Sequence, residues 1–147
     1  RDRDVTGVQT CALPIWVIRY SVVDDVGRMI NPMLVKGQIH GGIAQGLGQG
    51  LGEVLAYDET GQLLAGSLMD YALPRADEMP LFDVDSHEVP TKVNPFGAKG
   101  VGEAGMVGAL PALLNAVNYA LAPFGVRHFD MLLIPERVWH AIWNGSC

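Results

Sequence analysis

Glycine is concentrated in two short stretches of this chain, and this distribution restricts the folds that the chain can adopt. Of the 18 glycines in 147 residues, 12 lie in Gly37–Gly52 and Gly97–Gly108. Each glycine inside a helix costs up to about 1 kcal/mol relative to alanine, because its backbone loses more entropy on folding. A run of such residues needs a compensating reason, which is usually the close approach of another backbone or a ligand. We therefore expect such an approach at these stretches.

The remaining composition is that of one globular domain. Hydrophobic residues make up 49% and charged residues 18% of the chain, which is enough apolar material to build a core. Sixteen acidic and ten basic residues leave a net charge of −6, which disfavours nucleic-acid binding. No apolar run approaches the roughly 18 residues that a membrane span requires. The two cysteines provide no disulfide framework and no zinc spacing, so we expect a cytoplasmic protein.

The first 15 residues, Arg1–Ile15, differ from the rest of the chain. They show neither strand alternation nor helical spacing, and they lack the apolar core of a secretory signal peptide. Val5–Ile15 looks like the translation of a common sequencing adapter. We therefore interpret residues 1–15 as a non-native scar and residues 16–147 as a fragment of a longer protein. The alternative is a natural polar N-terminal arm.

Hydrophobic spacing predicts an α+β fold for residues 16–147. Asn31 and Pro32 form a helix-start signal, and apolar residues at four-residue spacing continue the helix from Val35 to Leu51. Strands and helices do not alternate regularly, which favours α+β over a doubly wound sheet. The other predicted elements are strands at Trp16–Val23, Leu81–Val89 and His128–Leu133, a hairpin at 54–65, a loop at Thr91–Gly105, and helices at Leu110–Leu121 and Pro135–Trp143.

Two polar side chains within the glycine stretches are candidate functional residues. Glu103 lies among small residues, where a backbone that can approach a ligand closely would place it as a general base. The simpler alternative is a solvated loop glutamate. Gln38 lies beside the glycine face of the predicted helix and can hydrogen-bond a heterocycle or a phosphate, or be an ordinary exposed residue. The adjacent His40 has no second histidine at a useful spacing, so we interpret it as an ordinary side chain.

Two other patterns are less favoured. Residues 100–105 match the G-x-G-x-x-G pattern of dinucleotide-binding loops, but no buried strand precedes them in the sequence. Glu103 would also place a carboxylate where a pyrophosphate binds. Asp24 and Asp25 resemble a catalytic carboxylate pair, but neighbouring strand residues point to opposite faces. We interpret both as turn residues.

Three motifs together resemble the molybdenum hydroxylases, the family of xanthine dehydrogenases, aldehyde oxidoreductases and aerobic carbon monoxide dehydrogenases. They are GQIHGGIAQGLGQGLGE at Gly37–Glu53, MDYALP at Met69–Pro74 and NPFGAKGVGEAG at Asn94–Gly105. The resemblance covers residues 16 to about 142. It implies the C-terminal end of the molybdopterin-binding large subunit, incomplete as a fragment and inactive alone.

The resemblance assigns roles to five residues. It implies that Glu103 of the K-G-x-G-E motif is the base toward a molybdenum-bound hydroxyl, which attacks an aldehyde, carbon monoxide or an N-heterocycle. It implies that Gln38 of the G-Q motif contacts the cofactor. Lys99, Gly100 and Gly102 would line the same pocket. The resemblance makes no residue of this chain a metal ligand.

The resemblance also implies a cofactor and partners. The cofactor would be molybdenum–molybdopterin cytosine dinucleotide, as is usual in bacteria, shared with the upstream part of the large subunit. Iron–sulfur clusters and FAD would lie on partner domains or subunits, since Cys147 alone is no cluster site. The expected assembly is a dimer of heterotrimers. The alternative function is a non-catalytic assembly module that packs the glycine-faced helix at residues 33–53 against another subunit.

Overall fold

The computed structural model describes residues 16–144, so the interpretation of Arg1–Ile15 as a scar lies outside the described residues. In this range the chain forms two strands and three α-helices, which is the α+β class that the sequence predicts. Two 3₁₀ turns, at Ala76–Glu78 and Ala122–Phe124, complete the regular structure of the range. The elements in chain order are β1 (Tyr20–Asp24), α1 (Pro32–Leu51), β2 (Phe82–Ser86), α2 (Ala104–Leu121) and α3 (Pro135–Asn144).

The first helix, α1, begins where the sequence predicts. The Asn31 side chain accepts a hydrogen bond from the Leu34 backbone nitrogen at 3.2 Å, and Pro32 occupies the first helical position, where no N–H is needed. The apolar stripe of the helix is central to the core, and its fully buried members are Ile39, Ile43 and Leu47. The predicted helix is therefore confirmed, with an end two residues before Glu53.

Helix α2 runs beside α1 in the same direction. Successive glycines of α1 meet successive turns of α2, and the pairs are Gly42 with Met106, Gly46 with Ala109, and Gly50 with Leu113. Since both members of each pair advance along the chain together, the two helices are parallel. The glycine face of α1 therefore packs against a helix of the same chain.

The helix α2 starts six residues before the predicted Leu110, so the predicted loop ends at Glu103 and Pro111 lies inside the helix. Proline removes one helical hydrogen bond, which residue 111 would otherwise donate to the carbonyl of Val107. Both residues are exposed, so water can serve that carbonyl. Gly105 resembles a loop residue in the sequence, but it is buried in the helix pair.

Helix α2 is also the most apolar helix of the described range. Ala104–Phe124 is long and apolar enough to cross a membrane by length and composition, with a mean hydropathy of 1.3. A core helix of a globular protein meets the same criteria, and α2 packs along α1. Its buried residues are Gly105, Ala109, Leu113, Val117 and Leu121.

The two strands pair in parallel, from Tyr20 opposite Phe82 to Asp24 opposite Ser86. A parallel pair needs a long crossover, and α1 lies within it. On the face toward the core, the rings of Tyr20 and Phe82 meet edge to face at 6.1 Å. The predicted strands at 16–23 and 81–89 are confirmed in shorter form, but the interpretation of Asp24 as a turn residue is wrong, because Asp24 is the last residue of β1 and pairs with Ser86.

The predicted hairpin at 54–65 is reduced to its turn. Tyr57 and Leu63 form a single antiparallel bridge, and the Asp58 carboxylate closes the turn by accepting hydrogen bonds from the backbone nitrogens of Thr60 and Gln62. Most of the flanking side chains are exposed. Because no core covers them, longer strands gain little from pairing here.

The predicted strand at His128–Leu133 is wrong, because no neighbouring strand pairs with it in the described range. The Asn118 side chain takes that place: its Oδ1 accepts from the Phe129 nitrogen at 2.7 Å, and its Nδ2 donates to the Phe129 carbonyl at 3.0 Å. The Leu133 nitrogen donates to the Gly50 carbonyl at 2.8 Å. Phe129 and Leu133 of this segment still enter the core as fully buried side chains, whereas Met131 is exposed.

Candidate functional site

The contact between α1 and α2 brings the two candidate polar residues to one end of the helix pair. A Cβ on Gly105 would lie 2.5 Å from the Ile39 carbonyl oxygen, and a Cβ on Gly42 would lie 2.8 Å from a backbone nitrogen of α2. Gln38 directly precedes Ile39, and Glu103 lies two residues before Gly105. The close approach expected from the glycines is therefore a contact of two backbones, Ile39 with Gly105, next to Gln38 on α1 and two residues after Glu103.

Glu103 directly precedes the first residue of α2. Its backbone carbonyl accepts from the Val107 nitrogen at 3.1 Å, but its side chain makes no capping hydrogen bond. The residue is exposed, and no described residue donates a hydrogen bond to its carboxylate. The helix therefore holds the Glu103 backbone while the carboxylate remains available for a ligand.

The glycines before Glu103 differ from those inside the helix pair. A Cβ built on Gly100 or Gly102 would meet no described atom within 4 Å, and both residues are exposed. Packing within the described chain therefore does not require glycine at either position. Their open backbone lies next to the first turn of α2, whose N–H groups lack helical partners and carry the positive end of the helix dipole. Such a surface suits an anionic group.

Lys99 is paired with a residue that sequence reasoning missed as part of the site. Its Nζ lies 2.5 Å from Asp25 Oδ2, and its backbone nitrogen donates to the Val26 carbonyl at 2.9 Å. The interpretation of Asp25 as a turn residue is confirmed, because its Oδ1 accepts from the Gly27 nitrogen at 2.9 Å. The Lys99 ammonium, followed by hydrogen bonds from the Gly27 and Val89 amides, lowers the pKa of Asp25 to about 2. A separation of 74 residues between Lys99 and Asp25 leaves no local signal for this pair.

The loop that carries Lys99 is attached to the turn after β1. Gly27 and Ala98 form an antiparallel bridge, and the Arg28 nitrogen donates to the Gly97 carbonyl at 3.0 Å. Both glycines have positive φ angles, of 64° and 69°, which side-chain-bearing residues rarely adopt. The Asn94 side chain closes the loop through a 2.8 Å hydrogen bond to the Ala98 carbonyl. These contacts fix the loop before it reaches α2.

Comparisons with known proteins identify this arrangement. Residues 8–80 match the model of the molybdopterin cofactor-binding domain family. The carbon monoxide dehydrogenase large chain of Hydrogenophaga pseudoflava is 43% identical over 126 residues, which are 86% of this chain and 16% of that protein. The nicotine 6-hydroxylase large subunit of Paenarthrobacter nicotinovorans is 46% identical over 119 residues, 81% of this chain and 15% of that protein.

Solved structures of molybdenum enzymes are also similar to this chain. Quinoline 2-oxidoreductase from Pseudomonas putida 86 superimposes with a TM-score of 0.83 and 43% identity, covering 87% of this chain and 16% of that one. Carbon monoxide dehydrogenase from Oligotropha carboxidovorans superimposes with a TM-score of 0.81 and 39% identity, and the match covers 86% of this chain and 16% of that one. The chain belongs to the molybdenum hydroxylase family. It spans about 16% of the length of the relatives first matched.

The MDYALP motif of this molybdenum hydroxylase chain contacts the C-terminal part of the first motif and lies apart from the candidate site residues. Met69–Pro74 lines a cleft of about 640 Å³ that reaches Gly48 and Gly52, beyond the C-terminal half of α1. A Cβ on Gly48 would lie 2.7 Å from Pro74 Cγ, so this motif also packs on a glycine of α1. Desolvation and the nearby Glu53 carboxylate raise the pKa of the Tyr71 hydroxyl. None of the predicted site residues lines this cleft.

The described part of this molybdenum hydroxylase chain offers no ready-made metal site. Among residues 16–144, no three side chains of His, Cys, Asp or Glu converge so as to hold an ion. The ring of His40 instead packs edge-on against the ring of Phe82 at 5.7 Å.

The structure also weakens the two alternative functions. Dinucleotide-binding loops follow a buried strand, but residues 91–99 are irregular apart from the bridge at Ala98. An assembly module would need the glycine face of α1 to be free for another subunit. That face is occupied by α2.

Proposed function

We propose that this chain supplies the catalytic base and part of the cofactor-binding surface of a molybdenum-dependent hydroxylase. The observation that supports the proposal is the backbone contact of Ile39 with Gly105, which joins the turn of α1 that carries Gln38 to the start of α2, where Glu103 follows the open backbone of Gly100 and Gly102. The relatives that share these motifs bear names of enzymes acting on carbon monoxide and nicotine. Because the chain spans about 16% of their length, the activity would belong to the whole large subunit and not to this chain alone.

The residues of this end of the helix pair fit a phosphorylated pterin cofactor. Gly100 and Gly102 leave space where a Cβ would otherwise stand, and the first turn of α2 presents N–H groups to an anion. The Gln38 amide can both donate and accept hydrogen bonds. We therefore assign these residues to molybdopterin, in its cytosine dinucleotide form. When bound, the cofactor supplies the two-electron redox chemistry of the reaction.

Glu103 is the residue to which we assign the proton transfer. Its carboxylate accepts the proton of the water-derived hydroxyl group that attacks an electrophilic carbon of the substrate. The geometry supports this role because the backbone of Glu103 is fixed at the start of α2 while its side chain is exposed and uncapped. The substrate class proposed is an aldehyde, carbon monoxide or an N-heterocycle.

We further propose that the rest of the large subunit covers this chain, and that iron–sulfur and flavin subunits carry the electrons onward in a cytoplasmic dimer of heterotrimers. One matched relative is named as a subunit of a dehydrogenase complex. Several large apolar side chains are almost fully exposed, among them Ile18, Met69 and Leu81 at 91–95%. Large apolar side chains exposed to this degree support the proposal that other parts of the assembly cover them.

The test is Glu103→Gln in the full-length holoenzyme, with molybdenum content measured beside turnover. We expect turnover to fall by about 10²–10⁴-fold, the usual contribution of a positioned general base, with molybdenum retained. Glu59→Gln, in the exposed turn between Tyr57 and Leu63, is the matched control and should keep full activity. Retained turnover in the Glu103 variant would refute the base role, and lost molybdenum would reassign Glu103 to cofactor binding.

A further inference from the structure

Asp25 lies where three separate segments of the chain meet. Besides the Gly27 nitrogen in its own turn, it accepts a hydrogen bond from the Val89 nitrogen, in the segment after β2, at 3.0 Å. Its third partner is the Lys99 ammonium in the loop before α2, at 2.5 Å. A single carboxylate therefore joins the ends of both strands to the loop that leads to Glu103.

The two oxygens of Asp25 make different contacts. Oδ1 accepts both backbone amides, from Gly27 and Val89, while Oδ2 accepts the Lys99 ammonium. The first set of contacts closes a turn and ties it to the chain after β2. The single contact of Oδ2, with the Lys99 ammonium, reaches the loop of the candidate site. Oδ1 therefore stabilises the local turn, and Oδ2 stabilises the loop of the candidate site.

The position of the Gly100–Glu103 segment depends on few contacts. Lys99 holds its beginning through the ion pair with Asp25 and through the hydrogen bond to Val26. Val101 packs against the core, whereas Gly100 and Gly102 meet nothing within 4 Å of a Cβ position. The contacts of Lys99 therefore hold the beginning of this segment, and the first turn of α2 holds its end at Glu103.

We propose that Asp25 is a positioning residue for Glu103 and acts through Lys99. The inference rests on the proposed function of Glu103 as the base. It also changes the expected role of Lys99, because an ammonium group that is already neutralised by Asp25 supports the loop and does not serve as the charge partner of the cofactor. Asp25 itself touches neither the cofactor nor the substrate in this role.

A second ion pair on β1 and β2 provides a matched control. Arg19 and Asp83 lie 3.3 Å apart with side chains 75% and 66% exposed, against 36% and 35% for Lys99 and Asp25. Exposed pairs of this kind contribute little to stability. Asp83 also belongs to no part of the site, so Asp83→Asn removes the same charge without touching the loop.

The experiment uses the full-length holoenzyme with Asp25→Asn. The asparagine carbonyl can still accept the Gly27 and Val89 amides, but its NH₂ group cannot accept a hydrogen bond from the Lys99 ammonium. We expect kcat to fall by about 10–10²-fold, which is the scale on which displacement of a catalytic group lowers the rate. KM and molybdenum content should stay unchanged. Hydrogen exchange of a peptide covering residues 94–103 should become faster by about tenfold, whereas a peptide covering 82–89 should not change. Asp83→Asn should leave all of these readouts unchanged.

Several outcomes would overturn the proposal. If the Asp25→Asn enzyme keeps the wild-type kcat, the proposal is refuted, whether or not the peptide covering residues 94–103 exchanges faster. Faster exchange of both peptides would make Asp25 a general structural residue. In the Glu103→Gln background, Asp25→Asn should have no additional effect on kcat, because the group that it positions is already lost. If Glu103→Gln alone stays active, the proposed function fails, while the exchange data still report whether Asp25 holds the loop.

Discussion

Replacing Gly42 by alanine tests whether glycine sets the spacing of α1 and α2. The added Cβ would lie 2.8 Å from the Met106 nitrogen and 3.2 Å from Gly105 Cα, both of them backbone atoms. Overpacking of this kind costs about 1–3 kcal/mol, while alanine regains about 1 kcal/mol of helix propensity. The adjacent Gly41 has no atom within 4 Å of its Cβ position, so Gly41→Ala gains the propensity without the clash. The two variants should therefore differ by about 1–3 kcal/mol, with Gly41→Ala the more stable.

Urea unfolding of the two variants, followed by far-ultraviolet circular dichroism, measures this difference directly. Because both variants gain the same alanine in the same helix, intrinsic propensity cancels and the remaining free energy is that of the helix contact. Equal stability of Gly41→Ala and Gly42→Ala would refute the packing described for α1 and α2. In the holoenzyme, Gly42→Ala should also lower kcat, since its clash is with Gly105 and Met106 in the first turn of α2, directly after Glu103.

Two further predictions concern side chains that hold distant segments together. Asn118→Ala leaves the buried N–H and C=O of Phe129 without partners, at a cost of about 1–3 kcal/mol for each group. Asn115→Ala, exposed on the same helix, should change the unfolding free energy by less than about 0.5 kcal/mol, and equal urea midpoints for the two variants would contradict this. For Asp25, hydrogen bonds, first of all from Lys99, lower the folded-state pKa from 3.8 to about 2, so its contribution to stability is complete above pH 3.8 and is lost as the pH falls toward 2. Acid unfolding of Asp25→Asn should lack this component, and identical acid transitions of variant and wild type would disprove it.

Local signals account for the parts of the fold that the sequence predicts correctly. The start of α1 depends on Asn31 and Pro32, and its length follows from the spacing of its own apolar residues. The start of α2 cannot be predicted in this way. Gly105 indicates a loop locally and Pro111 indicates a helix start near Leu110, whereas the helix already forms through Gly105, against which the Ile39 backbone packs.

Contacts between distant residues account for what sequence reasoning missed. The Asn118 amide takes the place of a neighbouring strand for Phe129, so the apolar pattern of that segment correctly predicts burial but not its partner. The ion pair of Asp25 with Lys99 cannot be predicted from local sequence either, because its two residues lie 74 positions apart. An aspartate in a turn is common, and only the folded chain shows that its second oxygen reaches the site loop.

The register of the two parallel helices converts two ambiguous residues into a candidate site. Gln38 and Glu103 each have an ordinary explanation, as an exposed helix residue and a loop acid. A shift of α2 along α1 by one turn, about 5.4 Å, would move Gly105 and the start of α2 away from Ile39, the neighbour of Gln38. Such a shift would also place larger side chains of α2 against glycine positions that accept only close neighbours, since a Cβ on Gly46 would already lie 2.7 Å from Ala109 Cβ. The four-residue glycine spacing of α1 therefore fixes the register, and the register in turn fixes where Glu103, at the start of α2, lies along α1.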